Sequence, residues 1–526
     1  MSQIIEAGHL STSNHLIPSK HKETSKRDRV AHRSLPSRMM SILVALLLAS
    51  SSLALAPLTA FADDPPVADS PSAEVSSQSE ELLSLAGGTC GLNLNWDFTG
   101  NTLSITGTGE MTGYTSSYLT PWAAYRADIK TVVIGQGVTS VSAYAFDDYA
   151  NLASVTFPST LASIGTYAFR SCTALSAATL PATLKTIKPS AFENCKSLTS
   201  LSVPGTVTII EKDAFKNCSN VKSLTLGSGI QQIGMAAFSG LVGITSLEIP
   251  GSVKAIESSA FAGCTSLQTL TMPVTDITIE HFVFSDCKSI TTLNATGSGP
   301  MVIWPSHVFT PWFDSIGSLK TVNIGNGITS VSSDAFSRFL SLTTVNLPST
   351  VTSIGASSFQ GCKSLAAITI PAGVTSIGHT AFMECTSLKS IKIPDKVTIS
   401  EDSTFYGCTN LASVTIGSGV KRIGKFAFNS CTSLTSVVIP SSVTTIESGA
   451  FRDCKALKKA TVPSSVTSLD LSAFSGCPVL VIYCEKNSAA HKYATTWNVK
   501  KTVAKPNLSS ATVKTRASVT WCGTAK

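Results

Sequence analysis

Phenylalanine recurs at a fixed interval through most of this chain. It stands at Phe146, Phe169, Phe192, Phe215, Phe238, Phe261 and Phe284, then at Phe336, Phe359, Phe382, Phe405, Phe428, Phe451 and Phe474, each step within a run being 23 residues. A period in the twenties held without insertions is the mark of a solenoid, in which each coil cannot bury its apolar face alone and is covered by the next. Val351–Ser376 displays one turn of the repeat. Its strand half is Leu365, Ile368, Ile370 and Pro371, echoed by Leu152, Val155, Phe157 and Pro158 and by Leu434, Val437, Ile439 and Pro440. Alternation of Ile368 and Ile370 with Thr369 fits a strand with one buried face. Pro371 cannot donate to a ladder and ends it. Val374 and Ile377 begin a return leg, and Gly378 tolerates the bend that follows. The Phe then plugs the coil, contributing about 1.5–3 kcal/mol on burial.

Three residues beyond most of these Phe stands a cysteine: Cys172, Cys195, Cys218, Cys264, Cys287, Cys362, Cys385, Cys408, Cys431, Cys454 and Cys477. Where it is missing the position holds Tyr149, Leu241 or Phe339, all apolar. A thiolate or disulfide ladder would not alternate with such residues, so the column reads as core packing. No CxxC pair suggests zinc. Cys90, Cys484 and Cys522 lie outside this column, and their pairing is left open.

The pattern L-x-x-I-x-I-P-x-x-V-x-x-I-G-x-x-A-F-x-x-C resembles the BspA-like subfamily of leucine-rich repeats, over about two thirds of the chain. The resemblance implies a β-rich α/β solenoid, a right-handed superhelix with a parallel sheet on one face. It also implies a secreted or surface protein, several members of the family being adhesins for host matrix proteins or other cells.

Residues 1–38 are polar and basic, and Met40 opens an apolar run that closes on Ala60-Phe61-Ala62. Together they predict a secretory signal over 1–62, cleaved after Ala62, with Met39 or Met40 as alternative starts. Serines and Pro57 interrupt the run, so no transmembrane helix is expected in the mature chain. The leader holds seven Lys/Arg against three acids, more than half of the net charge of +7. What remains is nearly neutral, which argues against nucleic acid as a partner.

Residues 63–88, with three prolines, many serines and six acids, predict a disordered linker. Two alternating runs around Gly100-Asn101 predict a β-hairpin in an N-terminal cap over 89–128. Repeat blocks follow over 129–293 and 319–477, separated by an irregular, aromatic-rich joint over 294–318. Residues 478–499 predict a C-terminal helical cap, with Ser488 as N-cap and Ala490, Tyr493, Ala494 and Trp497 on one face. Residues 500–526 read as a tail or the start of a further module.

The blocks are themselves related. Thr120-Pro121-Trp122 recurs as Thr310-Pro311-Trp312, and Val207–Glu211 as Val397–Glu401 with its departures from the consensus, both at an offset of 190. A tandem duplication of several coils explains the shared departures.

Chemistry is harder to find. The histidines beyond the leader (His281, His307, His379, His491) are scattered, and no HExxH, phosphate loop, nucleophile elbow or dinucleotide fingerprint occurs. No enzyme, metal or cofactor is expected. The joint offers Trp304, His307, Trp312 and Phe313, either as interface anchors or as the seal of an irregular coil. Outward strand positions are mostly Ser and Thr, broken by Glu248, Lys392 and Lys459. Roughly fifteen coils at about 4.8 Å each would make a hydroxyl-rich wall about 70 Å long. The expectation is a monomeric solenoid binding a protein or glycan on host matrix or cells. The alternative is a structural spacer, or surface-layer scaffold, that displays other modules.

Overall fold

The computed structural model describes residues 86–301, 317–497, 499–504 and 520–521. In the typical coil the chain runs along a front strand, turns at a proline or glycine, runs back through a short strand, and passes through a turn segment centred on the Phe. Ser200–Val203 shows how the front is built. It lies parallel to Ser223–Leu226 with Leu201 opposite Leu224; Leu201 and Val203 point inward while Ser200 and Ser202 are exposed. The period of two in the sequence therefore becomes an apolar inner face and a hydroxyl outer face.

The resemblance implies a parallel sheet on one face; the structure has parallel sheets along both legs. On the return leg Ile187, Ile210, Ile233 and Ile256 stack in register, all fully buried. These are the Ile377 positions of other coils, so the residue read as the start of a return leg is itself a rung.

The expected α component is also corrected. Among the described residues the only α-helix is Ala489–Thr496, here α1, outside the repeats. The coils cannot be helical at the Phe, because the residues two before and two after it are left-handed. In successive coils these are Ser357 (φ 53°) and Gly361 (φ 70°), Thr380 (φ 54°) and Glu384 (φ 58°). No right-handed helix accommodates that conformation.

The turns aim every Phe at its neighbour. Phe359, Phe382 and Phe405 are fully buried, with centroids 5.4 and 5.5 Å apart and rings within 12° of parallel. This is offset stacking, which adds to simple burial. The column begins at Trp122, stacked 5.5 Å from Phe146, and ends at Tyr493, edge-on to Phe474 at 5.9 Å.

Beside it runs the cysteine column. The Cys385 thiol donates to the Phe359 carbonyl at 3.1 Å, and the Cys408 thiol to that of Phe382 at 3.1 Å. Burial pushes the Cys385 and Cys431 thiols up to about 12. These are small apolar side chains with one weak donor, satisfied locally. Cys90 and Cys484 are buried free thiols; Cys522 lies outside the described residues.

The front sheet is less regular than the repeat suggests. It stops at Ala177–Ala178, Ser223–Leu226 does not pair with Ser246–Glu248, and no front strand forms at Ala366–Ile370 of the second block. Ile368 and Ile370 are buried as expected, but the ladder to the next coil thins to single bonds such as Lys389 N–H to the Ala366 carbonyl, 3.1 Å. Two of the three lapses fall on an alanine pair, Ala177-Ala178 and Ala366-Ala367, and Ala is a poor strand former; the third does not.

At the N-terminal end Ala86–Gly91 (β1), Leu94–Thr99 (β2) and Thr102–Gly107 (β3) form an antiparallel meander, with Thr99 facing Thr102 across Gly100 (φ 63°). The hairpin stands where Gly-Asn predicts it, and β3 also pairs in parallel with Thr131–Ile134. At the other end Val481–Glu485 continues the front sheet. In α1 the Ser488 hydroxyl accepts from the His491 N–H at 3.2 Å, as the sequence predicts. Trp497 departs from expectation: it ends the helix with φ −99° and is 54% exposed, so it does not share the buried face of Ala490, Tyr493 and Ala494.

Candidate interaction surface

The outward residues of the front sheet form columns of short polar side chains. Ser200, Ser223, Ser246, Ser390, Ser413 and Ser436 are exposed in one; Ser202, Thr225, Glu248, Asn346, Lys392 and Thr415 in the next. Register pairing puts Glu248 beside Thr271 and Lys392 beside Thr415. The two charged residues therefore sit among hydroxyls, in different sheets, and do not form a shared site.

Trp304, His307, Trp312 and Phe313 lie outside the described residues. What flanks them is described. Thr292–Thr296 pairs in register with Thr321–Ile324, with Thr292 opposite Thr321, so the front sheet continues across a coil longer than 23 residues. A ladder of side-chain amides crosses there: Asn323 Nδ2 donates to Asn294 Oδ1 at 2.8 Å, and Asn346 Nδ2 to Asn323 Oδ1 at 2.7 Å. The entry coil has the same long step, Thr102 opposite Thr131. There Trp122, matched to Trp312 at the 190-residue offset, is fully buried and donates from Nε1 to the Ala145 carbonyl at 3.1 Å.

Two concavities escaped the sequence reading. A cleft of about 680 Å³ lies between the last coil and α1, lined by Lys455, Asp470, Leu471, Cys477, Tyr493 and Trp497 among others. A shallower depression of about 360 Å³ on the turn side is lined by Tyr406, Phe426, Asn429, Ser430, Arg452 and Asp453. Neither has a local motif, because each is assembled from residues in different coils. Phe282, half exposed with φ 61°, is a bulky side chain in a left-handed position that Ser, Thr or Asp holds in several other coils and Tyr144, Tyr167 and Phe426 in three more. Among the described residues no group of three or more His, Cys, Asp or Glu is gathered as a metal ion would need. Nor is any helix long and apolar enough to cross a membrane.

The repeat profile described as "BspA type Leucine rich repeat region (6 copies)" matches residues 122–242, 185–310, 233–366 and 352–481, more than half of the chain. The chain belongs to the BspA type leucine-rich repeat family. No protein of curated function matches it. Among solved structures, a leucine-rich repeat protein from Bacteroides ovatus is 24% identical, with 78% of this chain and 98% of that chain covered and a TM-score of 0.44. A leucine-rich cell surface protein from Faecalibacterium prausnitzii is 24% identical, with 78% and 96% covered and a TM-score of 0.28. The pneumococcal vaccine antigen PcpA is 17% identical, with 78% and 95% covered and a TM-score of 0.29.

Proposed function

We propose that this chain is an exported, surface-exposed binding protein with no catalytic role, and that its front wall holds a protein or glycan on host matrix or a neighbouring cell. The observation that carries the reading is the outer face of the front sheet. Coil after coil presents hydroxyl and amide side chains in register, on a scaffold whose apolar residues are turned inward. Such a surface recognises by many weak, repeated hydrogen bonds rather than by one deep pocket. Glu248 and Lys392 supply local charge within it, and Trp304, His307, Trp312 and Phe313 add aromatic anchors where the blocks meet. The hairpin and α1 act as caps, hiding the apolar cross-section that an open solenoid end would expose. The leader over 1–62 directs export.

The test uses residues 63–526 on immobilised matrix proteins and on whole cells, against a version with its coils shuffled. Retention by the native order alone supports the reading. Equal retention of both, or none of either, favours a spacer that displays other modules. Trp304→Ala with Trp312→Ala then asks whether the joint contributes; unchanged affinity in a folded variant removes it from the surface.

A further inference from the structure

In an ordinary strand ladder consecutive peptide groups point in opposite directions and their dipoles cancel. The turn side of this solenoid does not alternate. The N–H groups of Tyr144, Phe146 and Asp148 donate to the carbonyls of Thr166, Ala168 and Arg170 in the next coil, at 3.0, 2.8 and 2.7 Å. Ser357, Phe359 and Gly361 do the same to His379, Ala381 and Met383, at 3.0, 2.8 and 2.7 Å. The intervening N–H groups are spent inside their own coil: Ala145 donates to Ser142, and Asp147 to Tyr144, both at 3.4 Å. The cause is the paired left-handed residues around each Phe from Phe146 through Phe451, which turn every second peptide group out of the ladder. Described bonds of this kind run from Tyr144 to Ser285 and from Asp334 to Ser475, all in one sense.

We propose that the turn side is a column of aligned peptide dipoles, carbonyl-negative toward the N-terminal end and N–H-positive toward the C-terminal end, and that Arg126 and Asp470 are its charged end caps. The first coil's carbonyls have no earlier coil to receive them. Trp122 Nε1 donates to the Ala145 carbonyl at 3.1 Å, and the Arg126 guanidinium to those of Asp147 and Asp148 at 2.9 and 3.1 Å. The last coil's N–H groups have no later coil. Ser472 N–H donates to Asp470 Oδ1 at 2.8 Å, and Phe474 N–H to Tyr493 Oη at 3.2 Å. A cation meets the carbonyl end and a carboxylate the N–H end. This is the sign rule of helix capping, carried over to stacked turns. Hydrogen bonds from the Ser472 hydroxyl and N–H hold the Asp470 carboxyl below its ordinary range, as expected of a carboxylate acting as an acceptor there.

The test exploits the opposite polarity of the two ends. Arg126→Gln with Asp148→Asn, whose carboxylate lies 3.4 Å from that guanidinium, and Asp470→Asn together strip these charges from the two ends. In that chain Lys or Glu is placed three residues before the terminal Phe, at Ala143 and Leu471, the latter 60% exposed, and at Ala356 in the interior. Amide exchange of the adjacent coil is then read. At Leu471 Glu gives slower exchange than Lys, and at Ala143 Lys gives slower exchange than Glu, by about two- to fivefold at low ionic strength. Both differences shrink in molar salt, and Ala356 shows no ordering. The same order at both ends, or an equal effect at Ala356, overturns the proposal. If the Ala143 variants fail to fold, the contrast between Leu471 and Ala356 decides alone.

Discussion

The front wall and the turn column belong to the same coils yet tolerate change differently. The front sheet lapses at Ala177–Ala178, between Ser223–Leu226 and Ser246–Glu248, and over Ala366–Ile370. At each place the turn column continues: the N–H groups of Phe169, Phe215 and Phe359 reach the carbonyls of Ala191, Ala237 and Ala381, each at 2.8 Å, beneath rings 5.2, 5.5 and 5.4 Å apart. The lesson is that stacking is specified on the turn side. The front strands are thereby released to vary their outward residues, as a binding surface must.

Variants sharpen that contrast, beginning with the largest expected effect. Phe382→Ala opens a cavity between Phe359 and Phe405 and is expected to cost about 3–5 kcal/mol in urea titration. Ile368→Ala, on a front segment that already lacks its ladder, is expected to cost less, about 2 kcal/mol. Equal losses would break the comparison. Next comes alkali. Cys385 and Cys431 stay protonated in the folded chain up to about 12, while their unfolded thiols ionise from 9.0. Folding thus retains protons that the unfolded state gives up. Stability is full below pH 9 and falls as pH rises toward 12, by about 1.4 kcal/mol per pH unit for each thiol. Melting at pH 8, 9 and 10 measures it, and Cys385→Ala should flatten the slope by one such increment.

Gly407→Val places a branched side chain at φ 71° in the turn column and is expected to cost about 1–2 kcal/mol. Its Cβ would meet nothing nearer than Glu384 Cγ at 3.4 Å, so the loss reports backbone conformation and not a clash. Smallest of all, Glu248→Ala and Lys392→Ala on the front wall should leave stability within about 0.5 kcal/mol. Any effect of theirs belongs to binding and is read as retention on the partner found in the surface assay.

Much of the fold was legible in the sequence because one column, the Phe, is invariant and its 23-residue spacing fixes the stack. Inward Leu201, the Gly-Asn hairpin and the Ser488 cap followed from local chemistry. The second sheet did not, because Val374 and Ile377 give too short a run to announce a strand. The left-handed turns were only partly signalled, because glycine marks some of them, such as Gly361 and Gly407, while Ser, Thr, Asp, Tyr and even Phe occupy the rest. The cap at Arg126 lay beyond reach for another reason: its partners are backbone carbonyls, which no sequence pattern displays. Glu248 and Lys392 were placed correctly as outward residues, but nothing local could tell that they stand in different sheets.

Coil-by-coil amide exchange of the intact chain tests the central claim most directly. The turn-column N–H groups, from Phe146 through Phe261 and from Phe336 through Phe451, should be protected without interruption through all three lapses of the front sheet, while front amides beside Ala177–Ala178, between Ser223–Leu226 and Ser246–Glu248, and beside Ala366–Ile370 exchange early. Protection that follows the front strands instead, with the Phe amides opening first, would contradict the account.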